Sequence, residues 1–247
     1  MLNVFKSPRK SSTHIDPQAQ PEGSKITRGE ATRDQILDTT IRLFRKEGFD
    51  ETTMRQVAAE AGVALGLAYH YFPGKEALVM AYYERVQWQH RAIAQERLPH
   101  LSTLHDRLSM LFQTKLDILR DDRKLLGALF RYAGNPKHPL SFLGEATAPL
   151  REDCMSLFAE ALESERLPDD LRLLLPLAIW SLHMGVLLYF LYDSSHGLKR
   201  TRRLADGSID LLVTFLKLAR LPLLRPARRS VMAVLIHARL LPGTSEV

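Results

Sequence analysis

The chain has 247 residues, of which 45% are hydrophobic and 25% charged. Those are ordinary globular values, and they exclude global disorder and collagen-like or low-complexity architectures. The 34 Lys and Arg against 28 Asp and Glu leave a net charge of +6, spread as +2 over residues 1–75, −3 over 76–194 and +7 over 195–247.

Residues 1–29 are rich in Ser, Pro, Lys, Arg and Gln and have no apolar period, which predicts a disordered arm. The opening MLNVFKSPRKSSTH has no apolar h-region, so no secretory leader is expected. From about Thr32, the residues Ile36, Leu37, Ile41, Leu43 and Phe44 recur at helical steps, and Gly48 follows as a stop. Thr53 followed by Gln56 matches a capping box and opens a second helix to about Ala61, burying Val57, Ala58 and Ala61. Gly62 supplies the turn to a short third helix from Ala64 to about Tyr71. Pro73-Gly74 ends it, and Lys75 starts a long helix reaching about Arg97. Helical patterns continue over 102–120, 122–133, 140–164, 169–193, 201–220 and 224–240. Breaks fall at Gly134-Asn135-Pro136, Leu167-Pro168, Ser194-Ser195-His196-Gly197 and Pro222. No run alternates with period two and no fixed repeat is visible, so the fold class is all-α. The expected division is 1–29, 30–80, 81–221 and 222–247.

Two short helices joined by a Gly turn have the form of a DNA-binding helix-turn-helix. At about 100° per residue, Ala64, Ala68 and Tyr71 fall on one side of the third helix as a buried stripe. Leu65, Gly66, Tyr69 and His70 face away from Ala68, with Leu67 on the flank. Around this core stand Gly48-Phe49, Thr53, Val57-Ala58, Ala61-Gly62-Val63, Tyr69-His70-Tyr71-Phe72 and Lys75-Glu76-Ala77-Leu78. Over about fifty residues, from Thr32 to Tyr82, this run resembles the N-terminal domain of TetR-type (tetracycline-repressor-like) transcriptional regulators.

The resemblance implies an N-terminal three-helix DNA-binding domain followed by a larger helical ligand-binding and dimerisation domain. It implies a ligand-responsive cytoplasmic repressor that binds a palindromic double-stranded operator as a homodimer. Carried over, Tyr69 packs on or bonds the DNA backbone, and His70 faces phosphate or a base edge. Lys75, at a helix N-terminus, suits a phosphate. Arg55 can reach phosphate or a base edge, and Thr53 caps its helix with a possible phosphate contact beside it. Tyr71 and Phe72 are read as core. The chain departs from the pattern at Ala64-Leu65-Gly66-Leu67, where apolar groups can touch only a thymine methyl or exclude water. Base-specific hydrogen bonds then fall to Arg55, His70 or the arm with Lys6, Arg9, Lys10, Lys25 and Arg28; a simple solubilising tail is the other reading of that arm.

Residues 173–192, LLLPLAIWSLHMGVLLYFLY, contain no Asp, Glu, Lys or Arg and are long enough to span a bilayer. Arg166 and Arg172 flank them on one side, Lys199, Arg200, Arg202 and Arg203 on the other. The heavier side belongs in the cytoplasm, which would put a DNA-binding N-terminus outside the cell. Pro176 and His183 also argue against a lipid-facing helix. The helix is instead read as buried within the protein and a dimer interface. By resemblance, about 169–193 and 201–220 pair with a partner's copies in a four-helix bundle, the latter through Leu204, Leu211, Leu212, Phe215, Leu216 and Ala219.

Trp88, Phe112, Phe130, Tyr132, Phe142, Trp180, His183 and Met184 are candidates to line a pocket for an unidentified small-molecule effector of apolar or aromatic character. Ordinary core packing is the simpler reading of each, and a satisfied core histidine the simpler reading of His183. The C-terminal helix, with Arg225, Arg228, Arg229 and Arg239 around Val231, Leu235 and Ile236, is an addition to the usual fold; a solvated basic face and a further interface are both open to it. Cys154, alone, can form no intramolecular disulfide and no Cys-based zinc site. No HExxH, P-loop, G-x-S-x-G or GxGxxG occurs, so neither an enzyme, a metal site nor a cofactor is expected.

Overall fold

The structure, a computed structural model, describes residues 27–132, 135, 137–238 and 240. The arm up to residue 26, with Lys6, Arg9, Lys10 and Lys25, lies outside the described residues, as do Gly134, Pro136 and Arg239. Ten α-helices and no strand are found among the described residues: α1 Arg28–Lys46, α2 Met54–Glu60, α3 Leu65–Tyr71, α4 Lys75–Arg97, α5 Leu104–Ile118, α6 Arg123–Phe130, α7 Ala148–Leu162, α8 Asp169–Tyr192, α9 Lys199–Ala219 and α10 Arg225–His237.

Two helix starts differ from the sequence reading. Helix α1 begins at Arg28, inside the segment expected to be an arm. Thr27 and Glu30 form a reciprocal capping box there, which satisfies two free N–H groups before any apolar period begins. Helix α7 begins at Ala148 rather than near residue 140. Pro149 sits in its first turn, where its missing N–H costs nothing. The preceding residues are held as turns, with the Thr147 hydroxyl donating to the Ser141 carbonyl at 2.5 Å and Arg151 to that of Phe142 at 2.9 Å.

The core does not divide at residue 80. Helix α4 crosses that point unbroken, and one apolar cluster joins Phe44, Val57, Ala68 and Phe72 to Leu116, Leu125, Leu187 and Phe190. A second cluster, around Phe112, Phe158 and Ile179, fills the space between α5, α7, α8 and α9. Three of the C-terminal arginines are paired with acids of the middle segment. Arg202 meets Asp117 at 2.5 Å, Arg220 meets Glu165 at 2.6 Å and Arg228 meets Asp170 at 2.8 Å. The net-negative middle of the chain thus offsets part of the charge of its basic end. Helix α10 packs on α8 through this last pair, while its Val231 and Val234 remain exposed.

The turn between α8 and α9 is built around Asp193, which is 3% exposed. Its carboxylate accepts from the Ser195 N–H at 2.8 Å, and from the Thr201 N–H and hydroxyl at 2.9 and 2.7 Å. These bonds hold Gly197 and Leu198 in left-handed conformations, with φ of 63° and 59°. Leu198 tolerates this because its side chain is packed in the first core cluster. Burial opposes the Asp193 charge, yet the bonds from Ser195 and Thr201 outweigh it and hold the carboxyl well below the usual carboxylate range. A group whose folded pKa is depressed contributes stability above its unfolded pKa and loses it as pH falls. Asp193→Ala is therefore expected to destabilise the protein by about 2–3 kcal/mol near neutral pH. The difference from wild type should shrink as denaturation is repeated below about pH 4.

Candidate nucleic-acid interface and effector cavity

The helix-turn-helix is assembled by short-range bonds. Thr53 accepts from the Gln56 N–H at 3.2 Å while the Gln56 side chain accepts from the Thr53 N–H at 2.9 Å, so the predicted capping box is present. Gly62 turns the chain at φ 66°. From α1, Gln35 donates to the Ala61 carbonyl at 2.8 Å and closes the end of α2.

On α3, Ala68 is fully buried, whereas Leu65, Gly66, Leu67, Tyr69 and His70 are exposed. Leu67 thus belongs to the open face rather than its flank. Ala64 was expected in the buried stripe and is exposed instead, because it is the extended residue preceding the helix. Tyr71 is half-buried and Phe72 buried. Arg55 is exposed and makes no hydrogen bond or ion pair among the described residues. Lys75 is placed differently from a free phosphate ligand. Its ammonium donates to the Phe49 and Asp50 carbonyls at 2.9 and 3.1 Å and lies 4.6 Å above the Phe49 ring. It braces the start of α4 against the loop after α1, which leaves one N–H for any other partner.

Behind this unit, residues of α4 to α8 line a partly open pocket of about 150 Å³. Of the eight pocket candidates, Phe130, Phe142, Trp180, His183 and Met184 lie in its wall. Three do not. Trp88 is 71% exposed, on the face of α4 opposite the buried His90. Phe112 is shut in the second core cluster, against Phe158 and His183 at 5.8 and 4.9 Å. Tyr132 stacks on His138 at 4.1 Å and meets Phe49 edge-on. The wall also contains Tyr82, Tyr83, Gln87, Lys115, Thr147, Arg151 and Cys154, none of which the sequence reading chose. Lys115 had left a trace: it interrupts the apolar stripe Leu104, Leu108, Leu111, Leu119.

The buried polar groups of this region are unusual. His183 is 2% exposed and neither ring nitrogen has a hydrogen-bond partner among the described residues, so it is not the satisfied core histidine expected. Burial, with Lys115 nearby, lowers its pKa to about 3 and keeps it neutral. His90 is lowered to about 2 for the same reasons, with its Nε2 at 2.9 Å from the Leu111 carbonyl. Burial also lowers the Lys115 pKa and raises that of the Cys154 thiol, which makes Cys154 an unreactive wall residue.

A polar bridge links the cavity to α1. Tyr82 donates to Asp122 at 2.9 Å, and Asp122, itself 2% exposed, accepts from Arg45 Nε at 2.5 Å and from its Nη2 at 3.3 Å.

Residues 36–82 match the family model for bacterial regulatory proteins of the tetR family. Residues 107–230, half the chain, match that for the tetracycline-repressor-like C-terminal domain. The chain belongs to the TetR family. The first TetR match contains every candidate DNA contact from Thr53 to Lys75, and the family is one of regulatory proteins rather than enzymes. The HTH-type transcriptional regulator YerO of Bacillus subtilis is 43% identical over 49 residues, 20% of this chain and 17% of that protein. The HTH-type regulator BetI of Brucella canis is 40% identical over 57 residues, 23% of this chain and 29% of BetI. The chain thus spans well under a third of these curated relatives where it matches them. Among solved structures, a TetR regulator from Nitrosomonas europaea superposes with a TM-score of 0.60 at 18% identity, over 72% of this chain and 96% of the other. The TetR-family repressor FadR of Thermus thermophilus, in complex with lauroyl-CoA, gives 0.54 at 22% identity over 73% and 93%. At such identities these two likenesses concern the fold.

Proposed function

We propose that this protein is a cytoplasmic repressor that binds an inverted-repeat operator as a homodimer and leaves it when a small molecule fills the cavity. The Tyr82–Asp122–Arg45 bridge carries this reading. It joins a cavity wall directly to the helix that supports the DNA-binding unit, so one conformational equilibrium can serve both sites. A ligand that prefers the arrangement unfit for DNA then releases the operator.

The second support is an uncovered apolar face. Leu188, Tyr189 and Tyr192 on α8, and Leu204, Leu211, Phe215 and Leu218 on α9, are 40–78% exposed. Gly185 and Gly207 are exposed on the same two helices, and a Cβ at either would meet nothing within 4 Å. Such glycines permit close approach of a partner helix. Long apolar stripes at helical spacing fit a bundle with a second copy of the chain. Dimerisation places two α3 helices about 34–36 Å apart, one turn of B-DNA. FadR of Thermus thermophilus is named with lauroyl-CoA, whereas the pocket of about 150 Å³ here has room within its walls for about one ring. We infer a smaller effector here.

Footprinting upstream of the protein's own gene should reveal a protected inverted repeat at low salt; finding none would overturn the operator assignment. Tyr69→Ala is expected to weaken operator binding about tenfold with unchanged thermal unfolding, since an exposed side chain contributes little to stability. Lys75→Ala should lower both, because its carbonyl bonds brace α4. Equal unfolding temperatures for the two variants would refute that distinction.

A further inference from the structure

The cavity wall has a charge pattern that its apolar character conceals. It contains two cations, Lys115 and Arg151, and no carboxylate. Lys115 is 5% exposed, and its ammonium makes one hydrogen bond, to Gln87 Oε1 at 2.9 Å. It has no ion-pair partner among the described residues. The amide of Gln87 is oriented by its other end, which donates to Asp153 at 2.8 Å. Asp153, which Arg91 holds at 2.6 Å, attracts Lys115 through space but forms no ion pair with it. A buried ammonium without a direct ion pair is costly, and its one hydrogen bond leaves two N–H donors unspent.

His183 supplies a second, independent sign. It lies in the same wall with both nitrogens unpartnered, while Phe112 and Phe158 fix its ring by edge contacts at 4.9 and 5.7 Å. Being neutral, it offers one donor and one acceptor. Donors lining a largely apolar, aromatic pocket of about 150 Å³ suit one compact anion on a ring-sized apolar body.

We propose that the cavity takes a small monocarboxylate carrying a single apolar ring, with its carboxylate on Lys115 and His183 as the second polar contact. The proposal rests on the reading of this cavity as the effector site. The ring would lie among Phe130, Phe142 and Trp180, on the aromatic wall. An oxygen anion beside Lys115 would supply the missing counter-ion and stabilise its charged form.

The test titrates the full-length protein calorimetrically with benzoate and cyclohexanecarboxylate, and with their neutral partners benzamide and cyclohexanecarboxamide. The carboxylates are expected to bind at least about tenfold more tightly than the amides. Lys115→Met should abolish that preference. It should unfold at the same or a higher temperature, because a buried unpaired charge has been removed. Acids and amides binding equally to wild type, no binding by either acid up to about 10 mM, or a preference that survives in Lys115→Met would each overturn the anion assignment. Met184→Trp fills the cavity and should reduce binding of all probes. Undiminished binding there would overturn the cavity reading itself, a result distinct from loss of the acid preference alone.

Discussion

Replacing Leu211 and Phe215 of α9 by glutamate is expected to convert the proposed dimer into a monomer and to lower operator affinity by at least about a hundredfold. The two side chains are 60% and 63% exposed in the single chain and lie one helical turn apart, beside Leu218 and Leu204. Burying each against a partner contributes about 1.5–3 kcal/mol per protomer. A carboxylate in the same place must be desolvated, and each substitution acts twice in a symmetric interface. A lone chain reaches only one half-site and loses half of the phosphate contacts, which accounts for the fall in DNA affinity. Light scattering gives the mass and a mobility-shift assay the affinity. A wild-type protein with the mass of a single chain at micromolar concentration would overturn the dimer, and a double variant of unchanged mass would place the interface elsewhere.

Asp122→Ala should be the most damaging single substitution between the DNA-binding unit and the cavity, with a loss of about 3–4 kcal/mol of stability. Asp122 is buried and accepts from Arg45 and Tyr82 at once. Its removal costs the charge-assisted bonds and strands the Tyr82 hydroxyl, which is also buried. Arg45 loses less, since its side chain is 45% exposed and can turn to water. Tyr82→Phe removes one bond and leaves the ring in the cavity wall, so about 1 kcal/mol is expected. Chemical denaturation measures both, and combining the substitutions should cost less than their sum because they share a partner. A loss for Asp122→Ala no greater than for Tyr82→Phe would show that the bridge does not hold α1. In either variant, a cavity ligand should shift operator affinity less than in wild type, because the bonded link between the two sites is cut.

The DNA-binding unit was legible in the sequence because its information is local. The Thr53–Gln56 capping box, the Gly62 turn and the Pro73-Gly74 stop lie within a few residues of the groups they order. The all-α class followed from apolar residues at helical steps, and each helix beyond α4 was found near its expected place apart from the start of α7. Even there the signal was present, since Pro149 reads as a first-turn residue. The start of α1 was missed because Thr27 and Glu30 form a cap outside the apolar period.

The cavity was less legible. Its wall draws residues from five helices and the loop before α7, and a helical period shows that a side chain is buried without showing whether it meets packed atoms or open space. Phe112 and Phe142 are alike in sequence, yet one fills the second core and the other faces the cavity. Lys75 could be read only as a cation at a helix start, because the Phe49 and Asp50 carbonyls that bind it come from another segment.

Charge divides in the same way. The sequence by itself determined how much charge the chain carries, where it lies along the chain, and that a helix-turn-helix stands near its start with little of the excess. Only the tertiary structure decided what that charge does. Asp117, Glu165 and Asp170 meet Arg202, Arg220 and Arg228 from positions more than fifty residues away, and Lys115 is left without such a partner inside an apolar wall. Pairing depends on a few ångströms of separation in space, and separation along the chain does not fix that distance until the helices have packed.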